Sequence, residues 1–144
     1  MKLWFIAAIA VASSALAQAP SLNGVWKSVS DRSGEAESLI RVTEAEGEFV
    51  GTVIRVFSPP ASSPNPRCAL CAGELKDQPI VGMKILRGRR RPGEAAGEGE
   101  VLDPDEGKVY RCTVTLLEGD AKLEVRGYVG ISLFGRSQIW LRAE

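Results

Sequence analysis

The chain has 144 residues, 18 basic and 18 acidic side chains, a formal net charge of zero and no histidine. That length suits one domain around a single core, and the even charge balance excludes the broad basic field that would draw in nucleic acid or an anionic membrane. The missing histidine removes the commonest general base, the commonest transition-metal ligand and the Ser–His and Cys–His nucleophile pairs. Neither a catalytic constellation nor a cofactor motif is visible, so the sequence is not read as an enzyme.

The first residues, MKLWFIAAIAVASSALAQAP, have the layout of a cleaved secretory signal peptide. Lys2 supplies a short positive region, Leu3 to Val11 an unbroken apolar run, and Ala15-Leu16-Ala17 a small-x-small cleavage site. The run is short for a bilayer span of about 20 apolar residues, and no other stretch qualifies. The leader is therefore assigned to residues 1–17, with cleavage after Ala17 and a periplasmic or secreted destination. With Lys2 gone, the remainder carries one basic residue fewer than its 18 acidic ones.

Beyond the leader, β-branched and aromatic runs alternate with Gly, Pro, Asp and Glu clusters. Eight strands are predicted: Gly24–Val29, Ser38–Glu44, Glu48–Phe57, Pro79–Arg87, Glu98–Leu102, Lys108–Leu117, Ala121–Tyr128 and Arg136–Arg142. Glu46-Gly47 and Glu118-Gly119-Asp120 read as tight turns. Asp103-Pro104-Asp105-Glu106-Gly107 combines a Pro that presets φ with a Gly that accepts positive φ. No long amphipathic helical pattern appears. Consecutive strands joined by short turns, with edges to protect, point to an all-β fold, a single up-and-down antiparallel barrel.

Period-two patterning assigns faces on some strands. Tyr110, Cys112, Val114 and Leu116 form the inward set of the sixth strand, and Leu123, Val125 and Gly127 that of the seventh. The third strand is apolar on both faces, Val50, Thr52, Ile54 and Val56 against Phe49, Gly51, Val53, Arg55 and Phe57, so its register stays open. Gly51, Gly82 and Gly127 inside strands mark candidate bends.

Gly24-Val25-Trp26 resembles the G-x-W that opens the first strand of lipocalins and other calycin barrels. Together, "GVWKS", "NPRCALCAGELKDQPIVGMKIL", "GEVLDPDEGKVYRC" and "LEVRGYVGISLFGRSQIWLR" resemble a family of bacterial exported proteins, domain of unknown function 2147, over about Leu22 to Arg142. The resemblance implies a lipocalin-like barrel domain over residues 22–142, in the envelope or outside the cell, and brings no established activity. By the same analogy Arg142, late in the last strand, is the residue expected to pack over Trp26 and close one barrel end. Cys112 departs from the family pattern.

Cys68 and Cys71 form a C-x-x-C pair that could be a redox centre, half a zinc site or a disulfide. The Pro/Ser-rich approach "SPPASSPNPR" is a loop and not the strand-to-helix setting that lowers a thiolate pKa. With three cysteines and no histidine, a four-ligand zinc site has no complete donor set. An oxidising compartment favours the disulfide, which by chain entropy over so small a ring stabilises by only about 2 kcal/mol. Cys112, between Tyr110 and Val114, reads as a buried thiol acting as a small hydrophobe. The run RGRRRPG, with Arg87, Arg89, Arg90 and Arg91, reads as a solvated loop compensated by Glu94, Glu98 and Glu100.

Two function classes follow. In the first, the barrel holds a small hydrophobic or amphiphilic molecule, with Tyr110, Val114, Leu123 and Val125 on the wall and Arg126 or Arg136 meeting a polar head at the rim. In the second, the barrel is a packed, ligand-free envelope module for protein interaction. An eight-stranded barrel is just wide enough for either.

Overall fold

The computed structural model describes residues 10–13, 19–57, 65–131, 133 and 135–144. The expected cleavage site after Ala17 lies outside them, as does the 58–64 part of the Pro/Ser-rich connection. Eight strands run β1 Gly24–Val29, β2 Ala36–Ala45, β3 Glu48–Val56, β4 Lys84–Arg89, β5 Ala96–Asp103, β6 Lys108–Leu117, β7 Lys122–Tyr128 and β8 Gly135–Arg142. Each pairs antiparallel with its neighbour in sequence, and β8 returns to β1, so the sheet is a closed up-and-down barrel. The described helix is one 3-10 turn, Gly73–Leu75, and no helix among the described residues is long and apolar enough to cross a membrane.

The eight expected strands are present, with one substantial correction. The fourth starts at Lys84 and not at Pro79. Pro79 makes only an isolated bridge to Arg67. The Met83 amide turns back to the Ile80 carbonyl, and Gly82 takes φ 95°, so residues 80–83 form a turn that an apolar count cannot distinguish from a strand. The expected Arg87–Arg91 loop is also corrected. Arg87 and Arg89 lie in β4 directly opposite Glu100 and Glu98 of β5, on the outer face, while Arg90 is 7% exposed.

The open register of β3 is settled by packing: Phe49, Gly51 and Val53 are the buried set. Gly51 is required there because a Cβ would stand 2.9 Å from Leu86 Cβ and 3.2 Å from Ile40. On β6 Cys112, Val114 and Leu116 are buried, and on β7 Leu123 and Val125, with Trp26, Ile40, Val42 and Trp140 completing the core from β1, β2 and β8.

The two barrel ends are built differently. The β2–β3, β4–β5 and β6–β7 turns lie at the end where β1 begins and β8 finishes. This end is stoppered by the segment before β1. Leu22 is fully buried, and the Trp26 indole donates to its carbonyl at 2.9 Å. Glu44, at the end of β2, takes two bonds from Arg90, at 2.5 and 2.8 Å. The remaining Arg90 donors reach the Pro20 and Glu94 carbonyls. The Glu44 and Arg90 side chains are 13% and 5% exposed, so the pair is largely out of water and each charge depends on the other.

The Arg90 guanidinium holds the Glu44 carboxyl below its ordinary value of 4.5. The pair's contribution is therefore complete above that pH and disappears as pH falls through the lowered value. Glu44→Gln is expected to cost about 3 kcal/mol in urea denaturation at neutral pH, the low edge for a broken buried pair. The loss of wild-type stability below pH 4.5 should be correspondingly smaller in the variant; an unchanged acid profile would reject this account.

Candidate functional site

The opposite end, here called the mouth, is framed by the β1–β2 loop, the β5–β6 turn and the described residues of the β3–β4 and β7–β8 connections. Directly paired residues in an antiparallel sheet share a face, so the register carries Phe49, Gly88, Gly99, Cys112, Gly127 and Arg136 along one inward row through six strands. Four of the six have small side chains or none. At the Phe49 end the row is packed tight: a Cβ on Gly88 would meet the Phe49 ring at 2.5 Å. At the mouth end it is looser, since a Cβ on Gly127 would meet nothing nearer than Tyr110 Cβ at 3.6 Å.

Beside Gly127, three inward residues present hydrogen-bond donors. Arg136 follows from the row itself. Gln138 pairs with the buried Val125, and Tyr110 pairs with Val101. The Gln138 amide is oriented by a core contact: the Trp140 indole, a donor only, gives its proton to Gln138 Oε1 at 2.7 Å. Its NH2 group therefore faces away from the indole and donates to Glu37 at 2.9 Å. Arg136 bonds Asp31 at 2.5 Å, and the Tyr110 hydroxyl donates to Glu106. The Tyr110 phenol is pushed above its ordinary value, first by that bond to Glu106 and then by burial, Glu106 and Asp103, with Arg136 acting the other way.

The other residues singled out in the sequence fall in several places. Val114 and Leu123 are wholly buried and Val125 is 5% exposed, all within the packed core. Arg126 stands on the outer face, where it pairs with Ser137 and donates to its hydroxyl at 3.1 Å. Arg142 lies 4.2 Å over the Trp26 ring and donates to the Asn23, Ser21 and Asp120 carbonyls. Cys68 and Cys71 are joined, with Cα atoms 5.3 Å apart, and their loop packs on the β5–β6 turn. There a side chain at Gly107 would collide with the Leu70 carbonyl. Among the described residues, no group of three or more His, Cys, Asp or Glu side chains is placed to hold a metal.

Sequence reading groups Gln138 with Arg126, Tyr128 and Arg136 near one barrel end and sees Glu106 only as a turn residue; the structure keeps Gln138 and Arg136 together on the inward face and turns Arg126 and Tyr128 to the outer one. Asp31 and Glu37 are not singled out, and no local pattern marks them. An open cleft of about 400 Å³ beside Pro20, Glu44, Gly47, Arg90 and Pro92 lies at the stoppered end. Arg90 there is locked in a largely buried pair with Glu44, whereas Arg136 at the mouth is held by a carboxylate that solvent reaches, so the cleft offers a ligand less than the mouth does.

The family model for "Uncharacterized protein conserved in bacteria (DUF2147)" matches residues 24–142. The chain belongs to the DUF2147 family. Among solved structures, it is similar to one described as "Protein HP1028 from the human pathogen Helicobacter pylori belongs to the lipocalin family", at 19% identity and a TM-score of 0.71, over 87% of this chain and 84% of that one. That likeness is one of fold, and it agrees with the closed eight-stranded barrel of this DUF2147 protein. No curated protein matches the sequence.

Burial, and then the charge of Glu100, push the Cys112 thiol up to about 12. Iodoacetamide at pH 8 is therefore expected to leave the folded protein unlabelled. It should add one label after denaturation without reductant, and three after reduction. Labelling of Cys112 in the folded state, or three labels before reduction, would contradict the assignment.

Proposed function

We propose that this DUF2147 protein is an exported small-molecule binder whose ligand, hydrophobic or amphiphilic, enters the barrel at the mouth beside Tyr110, Gly127, Arg136 and Gln138. The observation that carries the reading is the inward row of small residues ending at Arg136. Its mouth end is the less tightly packed one, where a Cβ on Gly127 would make only ordinary contacts with Tyr110 and Val101, while the rest of the interior is filled by Trp26, Phe49 and Trp140. The wall nearest the mouth is Val101, Val125 and the Tyr110 ring. Val114 and Leu123 support that wall from within the core. The leader-like first residues and the Cys68–Cys71 bond support export, since such bonds persist in oxidising compartments. N-terminal sequencing of exported protein is expected to begin at Gln18; Met1 or Lys2 at that position would reject the leader.

A second reading has its own observation. Apart from Val11, the large apolar side chains left exposed among the described residues all lie at the mouth end. They are Leu70, Leu75 and Val81 before β4, Val109 at the start of β6, and Val129, Ile131 and Leu133 after β7. A rim of this kind also suits docking on a partner.

The test separates the two readings. Gly127 has an ordinary strand conformation, so Gly127→Leu places its side chain in the mouth without backbone strain. It is expected to reduce uptake of an environment-sensitive apolar fluorophore about tenfold or more, with a melting temperature close to wild type. Equal uptake by both proteins would remove the mouth from the binding site, and no uptake by either would leave the rim as the functional surface.

A further inference from the structure

Each of the three inward donors at the mouth is engaged by a carboxylate of the chain's own rim. Asp31 of the β1–β2 loop holds Arg136, Glu37 at the start of β2 holds Gln138, and Glu106 of the β5–β6 turn holds Tyr110. A guanidinium, an amide NH2 turned outward by the Trp140 indole, and a phenol form a set of donors that matches oxygen acceptors carrying negative charge. We infer that the three rim carboxylates occupy the seats of an anionic head group, so that the ligand is an amphiphile with a carboxylate or phosphate head that displaces Asp31 and Glu37 when it binds.

This rests on the mouth being the binding site, and adds to it the ligand's charge and a residue-level competition. The energetics permit the exchange. The Arg136 and Asp31 side chains are 58% and 36% exposed, and ion pairs that exposed hold only weakly. The head group of an incoming amphiphile makes the same bonds, while its tail gains apolar burial that a carboxylate on the rim cannot. The buried Glu44–Arg90 pair at the other end has no such freedom, because removing either partner strands a charge away from water. Asp31 and Glu37 also join the β1–β2 segment to β8, so their displacement removes those two links at the moment of entry.

The experiment compares parinaric acid with its methyl ester, which share a tail and differ in head charge, on the full protein and two variants. Wild type is expected to prefer the acid. Asp31→Asn with Glu37→Gln should tighten the acid about threefold to fivefold, the worth of a displaced exposed pair, and leave the ester unchanged. Arg136→Gln should abolish the preference while retaining ester binding. All three substituted positions are exposed, and a melting curve for each variant checks that it is folded. Displacement of bound acid by dodecyl phosphate or by dodecanoate supports the anionic seat and distinguishes the two head groups; displacement by neither overturns it. Equal binding of acid and ester in every variant overturns this inference and leaves the mouth as a binding site, whereas binding of neither probe to any variant overturns both.

Discussion

Closure of the sheet is the constraint on which the rest of this structure depends. β1 and β8 meet over only three register pairs, Trp26 with Arg142, Lys27 with Leu141 and Ser28 with Trp140, a shorter contact than any other in the barrel. Three main-chain bonds beyond it, from Val25 to Glu144 and from Ala143 and Glu144 back to Val25, extend the seam. The Arg142 guanidinium then covers the Trp26 face and ties the seam to the segment entering β1 through the Ser21 and Asn23 carbonyls. Trp26 is fully buried, so the seam and the plug of that end share one side chain. Without it the sheet would have two free edges and an open lower core.

That closure divides the molecule into halves with opposite physical character. Below, aromatic rings fill the barrel and an ion pair is held out of water. Above, the inward positions turn polar, and their donors are held by carboxylates that solvent can reach. The same chemistry, a guanidinium on a carboxylate, is structural at one end and exchangeable at the other. The difference is burial: desolvation makes Glu44 and Arg90 indispensable to each other, while exposure leaves Asp31 and Arg136 replaceable. The proposed binding site is at the replaceable end. The exposed apolar side chains of two mouth loops and of the start of β6 place a sticky rim around that same opening.

The strands, their order and most of their faces were legible in the sequence because each depends on neighbours along the chain. Alternation on β6 and β7 gave inward sets that pack as read, and the Gly-containing turns fell where φ becomes positive, at Gly47, Gly107 and Gly119. Difficulty came where both alternating sets were apolar, as on β3, or where a turn was built from apolar residues, as at 80–83. At those places a local pattern carries no information about which side faces the core. The arginine run misled for a related reason. Four cations in five positions look solvated as a group, but a strand sends alternate residues to opposite faces, and Arg90 falls on the buried one.

What the sequence by itself determined is an eight-stranded, histidine-free barrel belonging to a bacterial family, because composition, periodicity and ordered motifs are properties of the linear chain. Only the tertiary structure decided what stands opposite what. Asp31 and Arg136 are 105 residues apart in sequence, Glu37 and Gln138 are 101 apart, and Glu44 and Arg90 are 46 apart. Their meetings follow from strand register and from closing the barrel, which bring together side chains whose separation along the chain gives no hint of contact. The character of the mouth resides in those meetings, so it emerged only when the last strand paired with the first.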